Sequence, residues 1–396
     1  MRTVELTNDQ YTGLGTLLNW YDRYDHQFIE ISGIVGTGSW DLIQEFIELS
    51  PLDPKEVMYL THDQKHMLEL AYRKYHAYYL PRIIYNYRCF TDHDTIPVIN
   101  YRSKVAVSTW KKETRSKVDP LYKLIVVFDS TLLSLQTIMD IGTFGLPVIL
   151  VRDPMLLPAP DSYLFTREPN ITLRETSDKH MGDPIVHFAK KVLHGERPEY
   201  GSYDNVSVIP KKQLNPHNFR SSDMIVTISE ELRSQVNQTY REKIRKLRGT
   251  INVAGERIIV TEPLYRQQLR NSDNKKVRLY VTRGMVGTLS RVNKHAPGTR
   301  YVTVDMKPDG YHESFTALPL DRYYLNGITA DSRQLVPEEP LICQYAYALS
   351  SPLSRTSHWD KVTVILEDDT TDDQEINRRL AYTALTRANR SMTIIL

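Results

Sequence analysis

The stretch Gln27–Glu48, QFIEISGIVGTGSWDLIQEFIE, decides how the rest of the chain is read. Phe28 to Ile31 read as a buried strand, and Leu42, Ile43, Phe46 and Ile47 mark the apolar face of a helix. Between them lies a glycine-rich turn. Strand, turn and helix in that order are what a phosphate-binding loop requires, because glycines let backbone N–H groups converge and the helix N-terminus faces the anion. A working loop ends in Gly-Lys-Ser/Thr, where the lysine grips the β- and γ-phosphates and the hydroxyl holds Mg²⁺. Gly33, Gly36, Thr37 and Gly38 stand at the expected places, but Ser39 and Trp40 follow them. The scaffold of the site is present and its chemistry is missing.

The remaining composition sets bounds. At 396 residues the chain is too long for one compact core, so two or three domains are expected. A formal net charge of +2 means that any attraction to nucleic acid must come from local patches. Cys89 and Cys343 are far apart and fit a reducing compartment without a disulfide framework. The opening residues MRTVELTNDQ carry no apolar signal region, and no apolar run is long enough for a bilayer, so a cytoplasmic protein without a membrane partner is expected. Neither the histidines nor the cysteines show metal-ligand spacing, so no metal site is expected.

Taken in order, residues 5–22 read as a helix capped by Thr7, with Leu14, Leu17, Leu18 and Tyr21 on one face. Pro51 and Pro54 close the strand–turn–helix unit, and a second strand, Val57 to Thr61, leads into another helix. The stretch from Tyr72 to Lys117 then carries ten Lys/Arg against three acids, with tyrosines, Phe90 and Trp110 interleaved. Two apolar runs, Leu124 to Val127 and Pro147 to Val151, have the texture of strands buried on both faces of a parallel sheet. The β-α-β-α series predicts a doubly wound α/β domain. A strand at Met224 to Ile228 and a helix at Glu230 to Leu247 open a second one, and the basic segment REKIRKLR (241–248) reads as that helix's exposed face. From Gly249 to Pro340 short β-like pieces separated by glycines predict a small inserted β-barrel. The α/β texture returns with a strand at Lys361 to Leu366, a helix at Ile376 to Ala388 and a last strand to Leu396.

This order of pieces resembles superfamily 1B DNA helicases of the RecD/Dda type, over nearly the whole chain. LTNDQ (6–10) is similar to the adenine-reading Q motif, with Gln10 in its place, and GIVGTGSW (33–40) to the Walker A loop. LIVVFDS (124–130) lies where the family has apolar residues followed by Asp-Glu-Ser, and VRDPMLLPAP (151–160) resembles Gly-Asp-x-x-Gln-Leu-Pro-Pro. LRETSDKHMGDPIVHFAKKVLHGE (173–196) looks like the Arg-Gln motif and its helix. AYALSSPLSRTSHWDKV (346–362) sits at the motif that couples DNA to nucleotide, and AYTALTRA (381–388) is close to the final motif, whose arginine reaches the γ-phosphate. The resemblance implies two RecA-like parallel-sheet domains with an SH3-like barrel inserted in the second. The domains expected are 1–165, with a basic aromatic insertion at about 80–117, then 166–248 with 341–396, and 249–340 for the barrel.

The departures fall on the catalytic positions. Ser39 replaces the phosphate-gripping lysine and Trp40 the Mg²⁺-binding hydroxyl; Phe128 stands at the metal-binding Asp, and Asp129 at the water-orienting Glu. Leu156 replaces the γ-phosphate-sensing Gln, while Arg174 and Arg387 are kept. Losing one positioned transition-state donor costs about 2.7–4 kcal/mol, and residues acting as a unit do not add simply. The sites Ser39, Asp129, Arg174 and Arg387 are therefore read as remnants, and Gln10, Gly33, Gly36, Thr37, Gly38, Ser39 and Trp40 as a remnant nucleotide cleft. Without a nucleotide, Gln10 reads as a surface residue, Arg174 and Arg387 as partners in structural ion pairs across the cleft, and Trp40 as filler of the emptied phosphate pocket. No cofactor is expected, although ATP with Mg²⁺ binding without hydrolysis stays open.

What is left is a nucleic-acid surface. Cations that track phosphates and rings that stack on bases bind single strands. Arg73, Lys74, Tyr78, Tyr79, Arg82, Tyr85, Arg88, Arg102, Lys104, Trp110 and Lys111 are the candidates. The expected function is a catalytically inactive helicase-like protein that binds single-stranded or forked DNA as an accessory in replication, recombination or repair. Two alternatives stand beside it: a module that engages replication or recombination proteins without DNA, and an active ATP-dependent 5′–3′ helicase with Asp129 on the metal. Decay of this kind suits a viral or mobile-element protein, which would place it in a host cell's cytoplasm.

Overall fold

Long apolar runs become interior strands, and the polar residues among them fix how those strands meet. The computed structural model describes residues 5–62, 64–90, 109–114, 118–158, 168–213, 219–247, 252–262, 264, 269–270, 276–277, 281–293, 296, 299–311, 314–327, 340–355, 357–367 and 370–396. Helix α1 (Asn8–Arg23) starts at Thr7, where a capping box joins Thr7 and Gln10 and satisfies two otherwise orphaned amides. The chain then lays down β1 (Phe28–Gly33), α2 (Ser39–Leu49), β2 (Val57–Thr61), α3 (Gln64–Tyr72), β3 (His76–Tyr79), a short α4 (Leu80–Ile84) and β4 (Tyr85–Phe90). β5 (Thr109–Thr114), β6 (Leu124–Val127), α5 (Leu135–Gly142), β7 (Val148–Arg152) and β8 (Ile171–Leu173) follow.

Six of these strands form one sheet in the order β3-β2-β6-β7-β1-β8, parallel throughout. Leu124 to Val127 and Val148 to Val151 are buried residue by residue, as strands covered on both faces must be. α2 buries Leu42, Ile43, Phe46 and Ile47, the face that the spacing predicts. Among the described residues, β4 and β5 form a separate two-stranded sheet. After α6 (Pro184–Leu193) come β9 (Gly201–Tyr203), β10 (Val206–Ile209) and β11 (Met224–Thr227). The chain then makes β12 (Arg257–Val260), β13 (Leu269–Arg270), β14 (Lys276–Val277), β15 (Val286–Val292), β16 (Tyr301–Pro308), β17 (Phe315–Asp321) and β18 (Cys343–Tyr345). It returns with β19 (Ala348–Ser350), β20 (Trp359–Ile365), the helix Gln374–Leu385 and β21 (Ala388–Ile395). The second six-stranded sheet runs β19-β11-β20-β21-β10-β9, parallel from β11 to β10 with β9 antiparallel at its edge.

The middle strands make an antiparallel sheet in the order β17-β16-β15-β12-β18. Its ends meet: Leu341, just before β18, bridges Leu320 of β17, and its N–H donates to Pro319 O at 2.7 Å. That contact closes the sheet into a barrel around Leu289, Val304, Met306, Leu318 and Leu320. The fold is thus two parallel α/β sheets with a small barrel between them in sequence, as expected.

Two compact units result, one of Met1–Asn86, Thr114–Leu232 and Leu349–Leu396 with both parallel sheets, the other of Tyr87–Glu113 and Arg233–Ala348 with the barrel. In the segment 241–248, Lys243, Arg245 and Lys246 are exposed, as its charge suggests, but Arg241 is not. The backbone there becomes a π-helical turn, Tyr240–Ile244, and Arg241 turns inward to Glu256 at 2.7 Å while lying 4.3 Å over the Tyr345 ring. A fully buried carboxylate on Glu256 draws the guanidinium in, because a buried charge needs a partner.

The first sheet holds a second buried pair, Glu30 on β1 with Arg152 on β7 at 2.8 Å. Glu30→Ala should cost about 3–5 kcal/mol in urea denaturation, because it strips a buried guanidinium of its carboxylate. Asp360→Ala, which breaks the exposed pair with Arg390 at 3.4 Å, should change stability by less than about 1 kcal/mol.

Candidate functional site

The glycine turn lies at the C-terminal edge of β1, where ligands of parallel sheets bind. Gly36 and Gly38 have φ of +83° and +70°, a left-handed backbone that a side chain would strain. Its carbonyls are held from outside. The Gln10 side chain donates to Thr37 O at 2.9 Å and to Gly38 O at 3.0 Å, and Ser177 N–H donates to Gly36 O at 2.9 Å. Gln10 is fully buried, and its Oε1 accepts from Thr7 N–H at 2.8 Å. The expectation of a surface glutamine is therefore corrected: Gln10 braces the turn, with both amide protons spent on it.

A cavity of about 420 Å³ opens beside the turn. Gly33, Gly36, Gly38, Ser39, Trp40, Asp129 and Arg387 all line it, so the structure brings together most of the residues singled out from sequence. Thr37 and Gln10 lie buried behind the turn. Arg174 is not part of the wall. Its side chain is exposed, its backbone N–H donates to Asp9, and it makes no ion pair among the described residues, which corrects the expected pairing across the cleft.

The two positions that the resemblance gives to Mg²⁺ ligands are adjacent in space and both aromatic. Trp40 and Phe128 have ring centroids 5.7 Å apart; Trp40 also meets Tyr59 at 5.7 Å and Tyr75 edge-on at 5.3 Å, and Tyr59 stacks on Phe128. Mg²⁺ demands oxygen ligands in near-octahedral array, and this corner offers ring carbons. Trp40 thus lines the cavity rather than filling it, and packs into an aromatic cluster that single-position reading did not predict. Asp129 follows with a left-handed φ of +55° and meets the Thr61 hydroxyl at 3.5 Å.

The cations of the cleft are engaged. Lys179, which sequence reasoning passed over, reaches the cavity from the turn after β8 and bonds Asp41 in the first turn of α2. Arg387 is buried and donates to Thr383 O at 2.9 Å, Arg355 O at 2.8 Å and Thr386 Oγ1 at 2.9 Å. Arg355 itself donates to Pro158 O at 2.9 Å. Leu156 is buried at the position of the missing glutamine.

The cleft also holds Asp153, which accepts from the Tyr382 hydroxyl and, at 2.9 Å, from Met155 N–H. Burial nevertheless raises its carboxyl to about 6, the hydrogen bonds and Arg387 opposing this incompletely. Nearby, burial pulls His62 down to about 4, with the Asp129 charge opposing. Asp153 lies in the quoted stretch 151–160 and His62 directly after the strand ending at Thr61, but burial is not visible in the sequence.

Of the nucleic-acid candidates, Arg73 and Lys74 are exposed at the end of α3, beside Tyr72, whose exposure is 61%. Tyr78 and Tyr79 are half-buried on β3; the Tyr78 hydroxyl bonds that of Tyr122 at 2.6 Å, and Tyr79 packs edge-on against His62. Tyr78 is a structural residue in part, which the interleaved pattern did not reveal. Arg102 and Lys104 lie outside the described residues, as do the side chains of Arg82, Tyr85, Arg88, Trp110 and Lys111. No group of His, Cys, Asp and Glu suited to a metal occurs among the described residues, and no described helix is long and apolar enough to cross a membrane.

No protein-family profile and no curated protein matches the chain. The solved structures that it is similar to include the Pif1 helicase of Candida albicans, at 13% identity over 99% of this chain and 95% of that one, with a TM-score of 0.46. A Bacteroides Pif1 helicase in complex with ADP-AlF3 and ssDNA is 13% identical over 98% and 92%, with a TM-score of 0.46. A structure of two coordinating Pif1 helicases at forked dsDNA is 11% identical over 98% and 92%, with a TM-score of 0.48. At 11–13% identity, what this chain does is argued from its own residues.

Two outcomes follow from the geometry. Phe128→Ala should cost about 3–5 kcal/mol in denaturant, as for other buried rings, without raising ATP turnover above background. The two shifted groups act oppositely on stability. Between about 4 and 6 the unfolded chain has released the Asp153 proton that the folded chain keeps, so this carboxyl's contribution is lost as pH rises. His62 in the folded chain stays neutral from 6.5 down to about 4, so its contribution is lost as pH falls. Asp153→Asn keeps an acceptor for Tyr382 and removes only the first effect. Its stability relative to the parent should grow from about pH 4 to about pH 6 and then level off, measured by urea unfolding across that range.

Proposed function

We propose that this protein is a helicase-like chain that has given up nucleotide hydrolysis and binds single-stranded or forked DNA as an accessory in replication, recombination or repair. The observation that carries the first half is the contact between Trp40 and Phe128, which puts aromatic carbon at both positions where the resemblance expects a Mg²⁺ ligand. Hydrolysis of a bound nucleoside triphosphate is almost entirely positioning and charge stabilisation, with Mg²⁺ bridging the phosphates. Ser39 cannot replace the lysine's charge, the Lys179 ammonium is matched by Asp41, and Arg387 donates to neighbouring oxygens. An arginine finger adds rate only to a phosphate and metal already held.

The second half rests on the exposed Tyr72–Arg73–Lys74 corner and the basic, aromatic sequence that continues from it to Lys117. Each stacked base contributes roughly 1–3 kcal/mol, and each phosphate contact adds a salt-dependent increment.

The test is a titration of a labelled single-stranded oligonucleotide at several salt concentrations, with and without Mg-ATP. Submicromolar binding that weakens steeply with salt and ignores ATP is expected. Affinity that shifts with ATP would restore the nucleotide site and overturn the inactive reading. Absence of binding at low salt would overturn the DNA reading in favour of a module for protein partners.

A further inference from the structure

The segment after β7, Asp153 to Pro158, is fastened along its length to the helix Gln374–Leu385 and its neighbours. Arg379 donates to Pro154 O at 2.6 Å, Leu157 N–H donates to Thr383 Oγ1 at 3.0 Å, and Arg355 donates to Pro158 O. On the side of the first sheet, Thr131 donates its hydroxyl proton to Asp153 O at 2.8 Å. At the centre stands Tyr382, which is fully buried. Its hydroxyl donates to Asp153 Oδ2 and accepts from the Val35 N–H at 2.8 Å.

One hydroxyl therefore joins three pieces: the glycine turn after β1, the segment after β7, and the helix that leads into β21. The first two belong to one parallel sheet and the third to the other, all within one compact unit. Val35 is an inner residue of the glycine turn. In a phosphate-binding loop such inner amides face the anion, and here the amide is already spoken for by a side chain from across the cleft.

We propose that Tyr382 is the pin of a constitutive clamp, which holds the two parallel sheets in one arrangement whether or not a nucleotide is present. A cleft that opens and closes with its ligand leaves bridging contacts for the ligand to make. In this chain protein side chains make them, and separating the sheets would break both hydrogen bonds of the Tyr382 hydroxyl, to the Val35 amide and to Asp153 Oδ2. The clamp is independent of whether the protein binds DNA, so failure of the DNA titration leaves it standing.

Hydrogen exchange on the full chain, read at Val35, Met155 and Leu157, tests it. In the parent protein these amides should exchange slowly, at rates that Mg-ATP or Mg-ADP does not change. Tyr382→Phe should speed all three by on the order of tenfold or more, while amides of β6 and β7 keep the parent's protection and so report an intact core. Acceleration at Val35 alone, or none, would overturn the clamp. A nucleotide-dependent change in the parent would overturn it without recourse to any variant.

Discussion

Every buried backbone donor and acceptor has to find a partner, and a loop shaped to surround phosphate has more of them than an ordinary turn. That constraint governs the centre of this molecule. The turn between β1 and α2 keeps its left-handed glycines, so its peptide groups still converge on one place. Four partners come from elsewhere in the chain: the two amide protons of Gln10, the Ser177 N–H and the Tyr382 hydroxyl. Gln10 is itself fixed by the capping box that starts α1, so the first helix, the turn and the last helix are parts of one hydrogen-bonded assembly. Glycine persists here for packing as much as for dihedral freedom. A Cβ at Gly38 would lie 2.4 Å from Gln10 Nε2, and one at Gly36 would lie 2.8 Å from a Val186 methyl.

The aromatic corner obeys a second constraint, that a cavity vacated by charge must be filled or solvated. Trp40 meets Tyr59 and Phe128 at tilted angles and Tyr75 edge-on, while Tyr59 stacks on Phe128. Their contacts explain why the departures at positions 40 and 128 belong together. A carboxylate at 128 would be pressed against an indole, and a hydroxyl at 40 would leave a hole among three rings. Each ring makes the other's place tolerable, so the aromatic character of this corner is a property of the cluster and not of either residue.

Much of the architecture was legible because it is written in local patterns. Continuous apolar runs announced β6 and β7, glycines spaced between short β-like pieces announced the barrel strands, and Thr7 ahead of an apolar helical face announced α1. Less legible were short strands whose identity is set by neighbours. Val206–Ile209 is only four residues long and does not stand out among its polar neighbours, yet it takes an interior place between β21 and β9. The cleft was legible as a list of positions and not as a set of interactions. Sequence placed Gln10 on a surface because a polar residue on a helix is usually solvated; its burial follows from a tertiary contact with the turn. Arg241 was misread for the same reason, because Glu256, its partner, lies fifteen residues on and is drawn to it by burial rather than by helical spacing.

Tyr382 is the clearest case of a residue whose role lies entirely in tertiary structure. Within AYTALTRA it is one more apolar position of a helix, and its buried ring satisfies that reading completely. The hydroxyl does something else: it donates to Asp153 and accepts from the Val35 N–H of the glycine turn. A phenylalanine would pack as well and would leave the Val35 amide without that acceptor. Arg387, one turn further on, shows the same economy from the opposite direction: its donors close the end of its own helix through Thr383 O and reach the segment before β20 through Arg355 O. The glycine turn, the segment after β7 and the last helix thus meet through side chains of the chain itself, which makes the cleft a structural junction.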